Sequence, residues 1–216
     1  MKQVNRLAEG GYGEATIIAR RYRTGVNQRR KITSNASQKF AALTYLSDAI
    51  KAADRSILFA QTKQASRNAV EHLKNVGIRA EVMDSDMDMR DRKTVFAAFE
   101  EGEHELIAAP MLLDEGIDVP SADLAIVIAS SRSKRQMVQR MGRVLRKKND
   151  GRQARLVIMY VKGTSEDPKE GAQETFIEMV TDAIPEESEK YFELCEAEEL
   201  NQFLNDYLGK DADKNA

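Results

Sequence analysis

An α/β fold, a parallel sheet sandwiched by helices, is what this chain predicts. Two observations predict it. Short apolar runs of strand length, Ile57-Leu58-Phe59-Ala60, Leu106–Ala109, Leu124–Ala129 and Leu156–Val161, are nearly continuous, as in strands buried on both faces. Helical patterns separate one run from the next, which is the rhythm of strand–helix–strand units. Right-handed crossovers then bring every loop that follows a strand to one edge of the sheet, where ligands of such sheets bind.

The chain has 216 residues, 42% apolar and 31% charged, which reads as a soluble globular protein large enough to bury a stable core. A net charge of −2 conceals a division. Residues 162–216 hold 5 Lys and no Arg against 16 Asp/Glu, a net of −11, while the remainder holds 28 basic against 19 acidic residues, a net of +9. A basic body with an acidic tail suits a polyanion-binding domain followed by a solvated or partner-docking segment. Cys195 is the single cysteine, so no internal disulfide is available, and His72 and His104 lie far from it in sequence. With no apolar leader and no apolar run approaching about 20 residues, the expectation is a cytoplasmic protein with no membrane span.

Residues 1–35 read as a basic arm or linker, with Arg20, Arg21, Arg23, Arg29, Arg30 and Lys31 close together and Tyr12 and Tyr22 interleaved. Gly10-Gly11-Tyr12-Gly13 lacks the Gly-Lys-Ser/Thr ending of a phosphate loop. Backbone contact with nucleic acid and a solvated arm are both consistent with this composition. From Ser37, Phe40, Leu43, Leu46 and Ile50 recur at helical spacing, with Ser37 or Asn35 as cap. The first strand ends at Gln61-Thr62. A helix through Ala69, Val70, Leu73 and Val76 stops at Gly77. A strand over Ile78–Met83 leads into Asp84-Ser85-Asp86-Met87-Asp88. This opening matches a calcium loop, but Met89 stands where the loop needs Gly and Val95 where it needs Glu. The cluster reads instead as the amino end of a helix carrying Arg92, Val95, Phe96 and Phe99 and ending at Gly102.

After Leu106–Ala109 comes Asp114-Glu115-Gly116-Ile117-Asp118-Val119-Pro120, and after Leu124–Ala129 comes Gln136-Met137-Val138-Gln139-Arg140-Met141-Gly142-Arg143-Val144-Leu145-Arg146. The second stretch predicts a helix on which Arg143 and Arg146, three apart, share a face opposite the stripe of Val138, Met141 and Leu145. Two guanidiniums aimed the same way can clamp a polyanion, phosphate above all. Residues 164–208 form an acidic appendage. Phe176, Met179, Val180 and Ala183 mark one helix, and Tyr191 to Tyr207 mark one or two more. Residues 209–216 read as a disordered tail.

In this order and at this spacing, Gly116-Ile117-Asp118-Val119-Pro120 and Gln136 to Arg146 resemble motifs V and VI of superfamily 2 helicases, in the second of their two RecA-like domains. The likeness is to DNA helicases of XPB type and to bacterial and phage relatives, and it covers roughly residues 36–163. It implies a RecA-like (P-loop NTPase-type) sheet with a C-terminal helical appendage. It also implies that Arg143 and Arg146 act as arginine fingers on the γ-phosphate of ATP. Gln139, Gly116, Asp118 and Arg140 would meet the nucleotide, and Gln61, Thr62, Ser85 and Met111 the nucleic-acid backbone. Ala109-Pro110 stands where the family opens motif V with Thr or Ser. No Gly-x-x-x-x-Gly-Lys-Ser/Thr occurs in these residues. The ATP would therefore be bound, with its magnesium, by a first RecA-like domain in cis or in trans. The track would be DNA, with RNA as the alternative. The competing reading is a non-catalytic module that keeps the fold and binds nucleic acid or a protein.

Overall fold

The computed structural model describes residues 2–110, 122–128, 154–164, 166–167, 192–193 and 196–208. The expected Arg helix at 136–146, the loop at 114–120, the helix around Phe176 and the tail at 209–216 lie outside the described residues. The chain divides into two compact units, residues 1–36 and residues 37–216.

The first unit, read from composition as a basic arm, is a pair of helices, α1 (Lys2–Glu9) and α2 (Glu14–Ser34). On α2 the buried or half-buried positions Thr16, Ala19, Arg23 and Val26 recur at spacings of three and four, so they form one stripe. That stripe packs on α1, where Ala8 is buried. Arg20 ties the turn between them by donating from Nε to the Ala8 carbonyl at 3.0 Å.

The second unit opens with α3 (Ser37–Ala42), a 3₁₀ turn (Leu43–Leu46) and α4 (Ser47–Ala52). The helical periodicity of Phe40, Leu43, Leu46 and Ile50 thus runs through a tightened middle turn. Among the described residues the strands are β1 (Ser56–Ala60), β2 (Ala80–Val82), β3 (Leu106–Pro110), β4 (Leu124–Val127) and β5 (Arg155–Ile158). They form one sheet in the order β2-β3-β1-β4-β5, and every pairing is parallel. β1 is the central strand, in register Leu58 to Ala108 on one side and Leu58 to Ile126 on the other.

The period of two along each strand sorts the side chains to two cores. Leu58, Ala60, Leu106, Ala108, Leu124 and Ile126 face one side, with α5 (Lys63–Asn75) and α7 (Ala197–Leu208) supplying Ala69, Val70, Leu73 and Leu204. Ile57, Phe59, Ile107, Ala125 and Val127 face the other, where α6 (Met89–Glu101) buries Phe99. Burying a side chain of this size contributes about 1.5–3 kcal/mol each. Helices on both faces are what continuous apolar strands require, and the expected α/β sandwich is the result. Two glycines end helices in the left-handed region, Gly77 after α5 at φ 83° and Gly102 after α6 at φ 84°, where a β-carbon would add strain.

The two edges of the sheet are finished differently. At the amino ends the Asp123 carboxylate accepts from the Asp54 and Arg55 amides, each at 3.0 Å, and Arg55 donates to the Glu100 carbonyl at 2.5 Å beside the Phe99 ring. Near the carboxyl end of β4 the Lys39 ammonium is buried. It donates to the Ile128 carbonyl at 2.7 Å and to Glu166 at 2.5 Å. Burial pulls the Lys39 ammonium below its ordinary pKa, with the Glu166 carboxylate acting against that.

Removing one partner of a buried pair strands the other without a counterion. Lys39→Ala is therefore expected to cost about 3–5 kcal/mol, and the double Lys39→Met/Glu166→Met to recover most of that loss. Urea unfolding followed by circular dichroism measures both, and a single variant within about 1 kcal/mol of the parent would contradict the clamp.

Candidate nucleic-acid and nucleotide edge

Parallel strands deliver their carboxyl ends to one edge, so the loops after β1 and β2 emerge there together. The first is Gln61-Thr62. Gln61 is half-buried, and Thr62 has extended backbone and caps α5, its hydroxyl oxygen accepting from the Ala65 amide at 3.1 Å. The other first-turn amides of a helix have no intrahelical acceptor, so this terminus can receive an anion. The loop after β2 is Met83 to Asp88, with Ser85 exposed. Asp88 caps α6 by accepting from the Arg90 and Asp91 amides at 2.8 Å.

β3 lies between β1 and β2 in the sheet, yet ion pairs join their two loops. Lys63, in the first turn of α5, reaches the Asp86 carboxylate. Arg67, one turn further on, donates to Asp84 at 3.0 Å and to Asp86 at 2.7 Å. Asp84 is buried and also accepts from the Asp86 amide at 2.8 Å, which closes the turn around Ser85. Arg92 of α6 adds a bond from Nε to the Asp84 carbonyl at 3.2 Å. Hydrogen bonds from Lys63 and then Arg67 hold the Asp86 carboxyl below the usual carboxylate range, and the Arg67 guanidinium is raised by its bonds to Asp86 and then to Asp84. The network joins the turn that presents Ser85 to the first two turns of α5, the helix that Thr62 caps.

Of the residues singled out in the sequence, Gln61, Thr62 and Ser85 are thus placed on this edge. Pro110 ends β3 on the same edge, and Met111 lies just past it, outside the described residues. Gly116, Asp118, Gln139, Arg140, Arg143 and Arg146 are also outside them. The sequence reading missed Lys63, Arg67, Asp84 and Asp86 as a set. The signal was present in two cations four apart opening a helix and two carboxylates two apart after the next strand, but only the sheet order brings the pairs together.

Comparison with known proteins follows the same outline. The model of the helicase conserved C-terminal domain matches residues 38–148. The DNA 3′-5′ translocase XPB2 of Sulfurisphaera tokodaii is 43% identical over 79 residues, covering 37% of this chain and 18% of the relative. UvrABC system protein B of Borreliella burgdorferi is 31% identical over 127 residues, covering 56% of this chain and 18% of the relative. The chain thus spans about a fifth of the length of these curated relatives. Among solved structures, S. cerevisiae Dbp5 L327V bound to RNA and ADP BeF3 superposes with a TM-score of 0.59 at 18% identity, over 80% of this chain and 42% of that one, a likeness of fold.

Asp86 provides a test of the network by pH. Its folded pKa lies below the ordinary 3.8, so the stability it contributes is complete above that value and is lost as pH falls through the lowered one. Asp86→Asn should lower stability at neutral pH and flatten the remaining decline below about pH 4. Urea midpoints from pH 7 to pH 2 measure this, and parallel curves for variant and parent would exclude the network as a contributor.

Proposed function

We propose, from the premise that the chain belongs to the family of helicase conserved C-terminal domains, that it is the second motor domain of an ATP-dependent DNA helicase or translocase. The observation that carries this reading is the reach of the family match. It runs from the first helix of the second unit through Arg143 and Arg146, and so includes both sequence motifs and the carboxyl edge of the sheet. ATP and its magnesium are held by a first RecA-like domain, joined to this one or supplied separately, and the pair works in the cytoplasm.

Arg143 and Arg146 act as fingers toward the γ-phosphate. They neutralise charge that develops as the phosphoryl group leaves, an effect worth on the order of 10³–10⁵ in rate for a finger. Gln139 and Arg140 position the phosphate end of the nucleotide. Gly116 allows close backbone approach, and Asp118 meets the ribose or steadies the fingers. Gln61, Thr62, Ser85 and Met111 contact the nucleic-acid backbone through hydroxyl, amide and helix-terminus donors, which read no sequence. The exposed Ser85 and the α5 terminus, joined by Lys63, Arg67, Asp84 and Asp86, support this assignment. DNA is chosen as the track because one relative is named a DNA translocase. The yeast structure with bound RNA makes RNA the alternative.

The experiment is ATP turnover in a complex that includes a first RecA-like domain. Arg143→Ala or Arg146→Ala should reduce nucleic-acid-stimulated hydrolysis by about 10³-fold or more while leaving the thermal midpoint nearly unchanged. Lys at either position should rescue poorly, because a point charge lacks the planar fork. Turnover within a few-fold of the parent would favour the non-catalytic module.

A further inference from the structure

The first unit lies wholly outside the residues matched by the family model, and its chemistry is its own. Residues 1–36 carry eight Lys/Arg against Glu9 and Glu14, a net of +6. Arg20 is spent inside the unit, on the carbonyls of Ala8 and Gly10. Arg21, Arg29 and Lys31 are exposed on α2, and among the described residues no carboxylate lies within ion-pairing distance of them. Arg21 and Arg29 stand about 12 Å apart along the helix axis. Between and beside them, large apolar groups are left in water. Ile17 is 51% exposed and Ile32 72%, on the side of α2 turned away from its buried stripe, and Tyr22, 55% exposed, flanks that stripe, three residues from Ala19 and four from Val26.

We infer that the broad exposed face of α2 that runs from Ile17 through Arg21, Ile32 and Arg29 to Tyr22 is a second nucleic-acid site, for a single strand, with Arg21 and Arg29 as its cations. Cations and apolar groups alternate on one surface, and an unpaired strand offers the matching alternation of phosphates and exposed base faces. Tyr22 supplies a ring on which a base stacks, Ile17 and Ile32 supply apolar walls, and the two arginines track the backbone. A partner helix is disfavoured, because the line Ile18, Tyr22, Gly25, Arg29, Ile32 puts Gly25 and Arg29 where heptad packing needs apolar side chains. A lipid surface is disfavoured too. A helix lying on a membrane separates its apolar and cationic residues to opposite faces, whereas here Ile17 and Arg21 share one, as do Ile32 and Arg29. The site is distinct from the sheet edge proposed above, and the experiment separates the two.

Fluorescence anisotropy of the full chain with a labelled oligothymidine of about 20 nucleotides, over a salt series, reads the site directly. The double Arg21→Ala/Arg29→Ala should lose at least about tenfold in affinity at low salt. Its log–log salt slope should fall by about 1.4, the value for two single-strand phosphates neutralised. Tyr22→Ala should weaken binding about tenfold and leave the slope unchanged, since stacking releases no counterions. Arg21→Lys/Arg29→Lys should keep the slope, with unchanged helical circular dichroism in every variant. Parent-like affinity and slope in the double variant would overturn the proposal. So would a loss of phosphatidylserine-vesicle binding with oligothymidine binding intact. If Gln61→Ala/Thr62→Val/Ser85→Ala abolished the salt dependence by itself, the α2 site would fall and the sheet edge would stand.

Discussion

Five strands running the same way leave the chain no short route from one to the next. Each connection must cross a face, so the apolar strands are covered on both sides, and every carboxyl end meets one edge. That constraint organises the rest of the second unit. At the amino edge, Asp123 and Arg55 consume the free amides and carbonyls internally, which makes it a structural seam. At the carboxyl edge the polar groups point outward, as a capped helix terminus at Thr62 and an exposed hydroxyl at Ser85. Two devices hold that edge in place. One is the carboxylate network that joins the loops after β1 and β2. The other is the buried Lys39 ammonium, which joins α3, the chain just past β4 and the turn after β5. The stretch that bears Arg143 and Arg146 follows β4 in sequence, so the proposed fingers depart from the strand that Lys39 anchors.

What could be read from sequence was what local periodicity and stop signals encode. The strand around Ile57–Ala60, the helix stop at Gly77, the acidic amino end of α6 and its stop at Gly102 were all legible. The expected strand over Ile78–Met83 is trimmed to Ala80–Val82, because β2 sits at the edge of the sheet and pairs on one side alone. The single helix expected from Phe40 to Ile50 tightens in the middle into a 3₁₀ turn, a difference of hydrogen-bond register that apolar spacing does not distinguish. In the first unit the charge of the arginines masks a modest stripe of Thr16, Ala19, Arg23 and Val26, which is what makes it a helix pair.

The candidate site divides along the same line. Gln61, Thr62 and Ser85 follow strands, and their position on the binding edge comes with the fold. Lys39 with Glu166, and Arg67 with Asp84, are pairs whose meeting depends on sheet order and on folding across many intervening residues. No window of sequence displays such a pair. The charge division makes physical sense of the whole. Among the described residues Arg21, Arg29 and Lys31 of α2 lie outside any ion pair, while Lys63 and Arg67 near the sheet edge are already engaged with carboxylates. The edge therefore offers directed hydrogen-bond donors, and the helix pair offers diffuse positive charge.

The central claim is that this chain contributes half of an ATP site. It is tested most directly by measuring steady-state ATP hydrolysis while titrating the chain into a separately prepared first RecA-like domain with nucleic acid present. The account predicts negligible turnover by either protein alone and a rate that rises with the chain and saturates. Hydrolysis by the chain alone, surviving repeated purification, or no rise on mixing with a competent first domain, would contradict it.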